Sequence, residues 1–145
     1  QACLQHGAFI VREEDREKVI GAIFEEGHLA RDIVGQDIKK IAAKAGIDIP
    51  EGTRVLVVEA HGAGEKDLIS KEKMCPVLAA FPYTYFDEAL EIAKTNLHLE
   101  GNGHTAGIHS NNQANIIKAG AAGADTTASS MTSPFSSLGA AACSA

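Results

Sequence analysis

Three side chains carry the chemistry that this sequence could perform: the thiol of Cys3, the carboxylate of Glu72 and the imidazole of His104. A thiolate adds to a carbonyl carbon, provided that its surroundings lower the pKa of the thiol. A carboxylate can accept hydrogen bonds from two neighbouring hydroxyls, and an imidazole can donate a hydrogen bond or transfer a proton near neutral pH. Together these residue types could serve covalent catalysis at a carbonyl group.

Each of the three residues also has a structural interpretation. A lone cysteine is often a small buried hydrophobe. Glu72 stands between Lys71 and Lys73, as an ordinary surface residue would, and His104 could bond to the backbone at the start of a strand. Residue types alone favour the structural interpretation for Cys3 and Glu72, and they leave the two interpretations of His104 equal.

The other cysteines and histidines indicate no second site. Cys75 directly precedes Pro76 and is interpreted as a packing residue, and Cys143 lies in a low-complexity stretch. The cysteines are far apart and form no C-x-x-C, so neither a disulfide framework nor a thiolate metal site is predicted, and a reducing, cytoplasmic compartment is expected. Because His104 and His109 lack an evident third ligand, no metal site is predicted.

Composition excludes two classes of partner. The net charge is -6 over 145 residues and the basic residues are scattered, whereas a protein that binds the phosphate backbone is usually basic. Aromatic residues make up 5% and tryptophan is absent, which disfavours a stacking platform for bases. No apolar stretch is long enough to cross a membrane. We therefore expect neither nucleic acid nor a membrane as a partner.

The elements that must position these residues alternate along the chain. Helical spacing is clearest at Ile38, Ile41, Ala42 and Ala45, with Gly46 as the stop. A T-x-x-D pattern at 84–87 predicts the start of another helix, and Gly27 is predicted to end the first one. The predicted strands are 8–11, 54–58, 76–81 and 105–108. One predicted helix follows the charged run at 12–18, and the others lie at 38–45, 84–100 and 113–119.

This alternation predicts an α/β layer on a mostly parallel sheet flanked by helices. The strand at 54–58 is nearly all apolar, which predicts that both of its faces are covered. From residue 120 the chain is rich in Ala, Ser, Gly and Thr, so 120–145 is either a mobile tail or a strand region with weak apolar content.

Three motifs resemble the later half of CoA-acylating aldehyde dehydrogenases. The segment 101–110, GNGHTAGIHS, resembles the G-x-G-H-T-x-x-x-H-S signature of that branch, and the segment 72–79, EKMCPVLA, is similar to its E-K-x-S-P-V-L-A segment. The third motif begins with Val34-Gly35-Gln36 and ends with Pro50-Glu51-Gly52-Thr53. In this register Cys3 falls at the position of the family's nucleophile. The resemblance covers residues 1–119, a catalytic-domain segment.

The resemblance implies both an activity and roles for the site residues. Such enzymes convert an aldehyde and coenzyme A to acyl-CoA with NAD or NADP, through a thioester on the cysteine. Cys3 would be the nucleophile, Glu72 would bind the nicotinamide ribose, and His104 would line the site. The resemblance also implies a homo-oligomer in the full-length form, in the cytoplasm or inside a bacterial microcompartment.

The sequence departs from the family in several places. Leu4-Gln5-His6 follows the cysteine where the family has S-E-Q. The segment Thr132–Gly139 is only partly similar to the family's N-T-P-S-S-x-G. In the family a cofactor-binding domain precedes the nucleophile, and this chain contains neither that domain nor a G-x-G-x-x-G motif after a strand. The chain alone is therefore expected to be inactive.

Two other functions remain open from the sequence. The segment could be a non-catalytic α/β assembly or interaction module derived from an aldehyde dehydrogenase. It could also be a stand-alone α/β binding domain, although the order of the three motifs argues against this. The aldehyde and the choice between NAD and NADP are not predicted.

Overall fold

The computed structural model describes residues 5–100, 105–122 and 127–128. Its strands are β1 (Ala8–Ile10), β2 (Phe24–Glu25), β3 (His28–Leu29), β4 (Val55–Glu59), β5 (Val77–Ala80), β6 (Thr105–Ala106) and β7 (Thr127–Ala128). Its helices are α1 (Glu13–Ile23), α2 (Ile38–Ala45), α3 (Phe86–Glu100) and α4 (Gln113–Ala122), with short 3-10 helices at Gly64–Lys66 and Leu68–Ser70.

The main sheet has 3 parallel strands in the order β1-β4-β5. Phe9 of β1 is paired with Leu56 of the central strand, and Leu78 of β5 is paired with Val57 on its other side. Strands β6 and β7 form a separate parallel pair. The predicted α/β class, with mostly parallel strands flanked by helices, is thus confirmed.

The core lies mainly on one face of this sheet. Leu56 and Val58 of β4 are 0% exposed, whereas Val55 and Val57 on the opposite face are half-buried. The prediction that both faces are covered therefore holds fully for only one face of β4 within the described residues. The other fully buried side chains of the core belong to α1, α2, β5 and the connecting segments: Val19, Ile23, Ile33, Ile41, Ile69 and Val77.

Helix α2 has the bounds that its sequence predicts. Its buried residues are Ile38, Ile41, Ala42 and Ala45, which repeat every three or four residues and pack against α1. At its start Asp37 Oδ1 accepts a hydrogen bond from the backbone N–H of Lys40 at 2.9 Å. At its end Gly46 takes a left-handed conformation with φ 65°.

The end of α1 corrects the sequence prediction. The helix ends at Ile23, and Phe24 begins an antiparallel hairpin of β2 and β3. The turn consists of Glu26 and Gly27, with φ of 51° and 78°. Two successive residues with positive φ form the turn that joins tightly twisted strands, so Gly27 permits this turn and does not end the helix.

The start of α3 also corrects a prediction. The backbone N–H of Thr84 donates to Glu88 Oε2 at 2.8 Å, and Asp87 instead forms an ion pair with Lys118 of α4. Because the helix begins at Phe86, Glu88 occupies its third position, from which an acidic side chain can reach back to the chain before the helix.

Gly64 sets the contact between α3 and the segment that follows β4. Its backbone N–H donates to Asn96 Oδ1 at 2.8 Å, and its φ is 65°. A Cβ atom at Gly64 would lie 2.8 Å from Cγ2 of Thr95. A glycine is therefore required by both the backbone conformation and the close approach of the helix.

Helix α4 reaches Ala122, three residues beyond the predicted end, and β7 pairs with β6. Of the Ala/Ser-rich stretch 120–145, most lies outside the described residues.

Candidate active site

Glu72 lies in the loop 71–76, which joins the 3-10 helix Leu68–Ser70 to β5. Glu72 is an exposed residue. Cys3 and His104 lie outside the described residues. The structure therefore gives no distance between either of them and Glu72. The assignment of Cys3, Glu72 and His104 to a common site stays a prediction.

In the sequence, Cys3 and Glu72 each precede an outer strand of the main sheet. β1 and β5 run parallel to the central strand, so their amino ends lie at the same edge of the sheet. Two strand spacings, roughly 10 Å, separate such ends. Cys3 precedes the first residue of β1 by five positions, and Glu72 precedes the first residue of β5 by five. Strand β6, which follows His104, belongs to the separate pair.

The loop that carries Glu72 is anchored to two neighbouring segments. Lys71 Nζ donates to the carbonyl of Gly27 in the β2–β3 turn at 2.9 Å. The backbone N–H of Gly35 donates to the carbonyl of Met74 at 2.9 Å. Met74 has φ 42°, a conformation that costs free energy for a residue other than glycine and that surrounding contacts must stabilise.

Lys73 is buried, which the sequence did not predict. Its residue exposure is 3%, and its Nζ donates to the carbonyls of Ile69 and Lys71, each at 2.7 Å. Lysine is rarely this buried, because transfer of an ammonium group from water is costly unless hydrogen bonds replace its hydration. A K-E-K sequence is typical of a solvated surface, so no sequence signal distinguishes this lysine from its neighbours.

A buried ion pair holds the segment that precedes the loop. Arg16 of α1 and Asp67 are 6% and 8% exposed, and Arg16 Nη2 pairs with Asp67 Oδ2. Arg16 Nε also donates to the carbonyl of Glu59 at 3.0 Å, while Asp67 accepts from the backbone N–H of His61 at 2.8 Å. The ion pair therefore joins α1 to the end of β4 and to the segment that leads to Glu72.

Cys75 behaves as the packing residue that the sequence predicts. It is half-buried against the core. Burial raises the pKa of its thiol, and the nearby charge of Lys73 lowers that pKa to a smaller extent. A raised pKa leaves little thiolate at neutral pH, which is the opposite of what a nucleophile requires.

Other surface features do not add to this site. An open depression of about 680 Å³ lies beside the hairpin and is lined by residues 25, 26 and 28–32, and Glu72 does not line it. Within the described ranges no group of three or more His, Cys, Asp or Glu side chains is arranged to hold a metal ion. The described helices include none with the length and apolar character needed to span a membrane.

Comparison with known proteins identifies relatives along most of the chain, although no protein-family model matches it. The chain is 50% identical over 120 residues to the succinate-semialdehyde dehydrogenase (acetylating) of Clostridium kluyveri, a match that covers 82% of this chain and 26% of that protein. It is 42% identical over 105 residues to the aldehyde-alcohol dehydrogenase of Clostridium acetobutylicum, covering 72% of this chain and 12% of the relative.

The fold matches as well. The crystal structure of an acetylating aldehyde dehydrogenase from Geobacillus thermoglucosidasius superposes with a TM-score of 0.76 at 36% identity, over 89% of this chain and 28% of the other. The fold and the sequence both relate this chain to the class of aldehyde dehydrogenases. Within that class the chain is homologous to the CoA-acylating enzymes, which confirms the family that its three motifs predict. It spans 26% and 12% of the length of the two curated relatives.

Proposed function

We propose that this chain is the nucleophile-bearing segment of an enzyme that converts an aldehyde, coenzyme A and NAD(P)+ into acyl-CoA and NAD(P)H. The observation that carries the proposal is the 50% identity to an acetylating dehydrogenase over 82% of the chain. The motifs that contain Glu72 and His104 follow one another in the order that resembles the family, and in this register the resemblance implies Cys3 as the nucleophile.

Cys3 supplies the covalent chemistry in this proposal. Its thiolate forms a bond to the aldehyde carbon while the carbonyl π electron pair moves to the oxygen, which gives the oxyanion of a thiohemiacetal. The oxyanion re-forms the C=O bond as a hydride leaves that carbon, and a thioester remains on Cys3. The bound nicotinamide cofactor supplies the hydride acceptor. The thiol of coenzyme A then attacks the thioester carbon, the bond to Cys3 breaks, and the proton of the thiol is released. Because a thiol and not water accepts the acyl group, no hydrolytic base is required.

His104 and Glu72 serve positioning and binding. The imidazole of His104 donates a hydrogen bond to the oxygen of the reacting carbonyl, where negative charge develops. The exposed carboxylate of Glu72, on a loop anchored by Lys71 and Met74, suits the two vicinal hydroxyls of a ribose. A homo-oligomeric state and a location in the cytoplasm or a microcompartment belong to the same proposal.

A substitution at the nucleophile tests the proposal. In the longest native form of the protein, Cys3→Ser is expected to lower CoA-dependent NADH formation from acetaldehyde or succinate semialdehyde by at least about 1,000-fold, because a serine hydroxyl is hardly ionised near neutral pH. The matched control is Cys75→Ser, for which we expect a change within about twofold. Full activity of the Cys3→Ser protein would overturn the proposal and favour a non-catalytic assembly module.

A further inference from the structure

Two lysines flank Glu72, and both point their ammonium groups at backbone carbonyls of the protein. Lys71 Nζ donates to Gly27, and Lys73 Nζ donates to Ile69 and Lys71. Glu72 between them has an exposed side chain, whereas Lys73 is buried. The segment therefore consists of a half-buried lysine, an exposed glutamate and a buried lysine.

The hydrogen bonds of Lys73 act directly on the backbone of Glu72. The carbonyl of Lys71 belongs to the same peptide group as the N–H of Glu72, so its bond to Lys73 Nζ at 2.7 Å orients the plane that precedes the Glu72 Cα atom. The carbonyl of Ile69 lies in the short 3-10 helix Leu68–Ser70, whose last carbonyls lack helical partners. Lys73 thus joins the end of that helix to the peptide before Glu72.

Lys71 fixes the same segment to an element outside the loop. Its bond to Gly27 ties the loop to the turn of the β2–β3 hairpin, and the bond from Gly35 to Met74 ties the residue two positions after Glu72 to the segment before α2. The backbone on both sides of Glu72 is therefore held by different elements. A carboxylate held in this way loses less conformational entropy when it binds a ligand than one on a free loop would.

We propose that Lys71 and Lys73 are positioning residues that hold the Glu72 carboxylate in the orientation in which it binds the ribose hydroxyls of the nicotinamide cofactor. The inference rests on the proposed role of Glu72 as the ribose contact. Neither lysine touches the cofactor in this scheme; both act through the backbone of Glu72.

The test measures cofactor binding directly. In the longest native form of the protein, the Kd for NADH is titrated by the fluorescence of NADH, and KM for NAD+ and kcat are measured with acetaldehyde and coenzyme A. Lys73→Met and Lys71→Met are each expected to raise the Kd and KM by about fivefold and to change kcat by less than about twofold. The control is Lys44→Met, which removes a lysine paired with Glu25 and Asp32 and is expected to leave the Kd unchanged.

A double-mutant cycle with Glu72→Ala separates this inference from the proposed function. We expect Glu72→Ala to raise the Kd and the lysine substitutions to add little on that background, because residues that act through one another are not additive. If Glu72→Ala leaves the Kd unchanged, the ribose role itself is wrong. If Glu72→Ala raises the Kd but the lysine variants do not, or if their full effect persists without Glu72, the positioning role is overturned. Circular dichroism identifies a misfolded Lys73→Met protein, in which case the less buried Lys71→Met decides the outcome.

Discussion

Arg16 and Asp67 illustrate how single side chains fix the region around the candidate site. Removing both charges from water is costly. Hydrogen bonds to the carbonyl of Glu59 and from the N–H groups of His61 and Ile69 offset part of this desolvation cost. Such a pair contributes little net stability as a whole. Removal of one partner is different, because it leaves the other charge buried without compensation.

We therefore expect Asp67→Ala to destabilise the protein by about 3 kcal/mol. Urea denaturation of the longest native form measures the loss. The control Glu17→Gln removes an exposed partner of Arg16 and is expected to cost less than about 1 kcal/mol. Equal losses for the two variants would show that burial of Asp67 is not important for stability.

The raised pKa of Cys75 predicts that the rate of its alkylation depends on pH in a way that distinguishes it from a nucleophile. Because burial raises its pKa, the fraction of thiolate at any pH below that pKa is smaller than for an ordinary thiol. Alkylation of Cys75 by iodoacetamide is therefore expected to be slow at pH 7 and to accelerate only as the pH approaches the raised pKa. Peptide mapping by mass spectrometry at several pH values measures this, with Cys3 expected to react faster at pH 7. Faster labelling of Cys75 would contradict both assignments.

At the scale of elements, the sequence predicts those helices and strands that have a long apolar periodicity or a residue that strongly favours their end. Helix α2 is predicted to the residue, because its apolar spacing and Gly46 both act locally. The β2–β3 hairpin is not predicted, since strands of two residues carry no periodicity and Phe24 continues the apolar spacing of α1. Its turn also depends on Glu26 with positive φ, which no residue type signals.

The start of α2 offers a test of this local control. Asp37→Ala removes the side-chain acceptor for the N–H of Lys40 and is expected to lower the free energy of unfolding by about 1 kcal/mol. Asp37→Asn keeps an oxygen at the same place and is expected to be close to neutral. Thermal unfolding followed by circular dichroism compares the two, and equal melting temperatures for Asp37→Ala and the unaltered protein would contradict the role of this cap.

At the scale of the whole molecule, part of the candidate site could be predicted and part could not. The predicted strand at 76–81 puts Glu72 shortly before a strand, and the structure places it in the loop before β5. The anchoring of that loop depends on Lys73, Gly27 and Gly35, whose sequence contexts are those of ordinary turns and surfaces. Such contacts join segments that are far apart in sequence, so they appear only once the chain is folded.

The activity of the whole chain is a further prediction at this scale. The 145 residues contain no G-x-G-x-x-G motif after a strand, so the isolated chain is expected to form no NADH from an aldehyde and coenzyme A. A spectrophotometric assay of the isolated chain beside the longest native form measures this. Turnover by the isolated chain would show that these residues bind the cofactor unaided.

The absence of a side chain at Gly64 affects the packing of helix α3, which lies far from it in the sequence. Helix α3 rests on the backbone of Gly64 through Thr95 and Asn96. A methyl group at position 64 would clash with Cγ2 of Thr95, so Thr95 or the helix that carries it would have to move. An alanine at position 64 would therefore change how α3 packs on the segment that follows β4, although Glu72 itself would be unaltered.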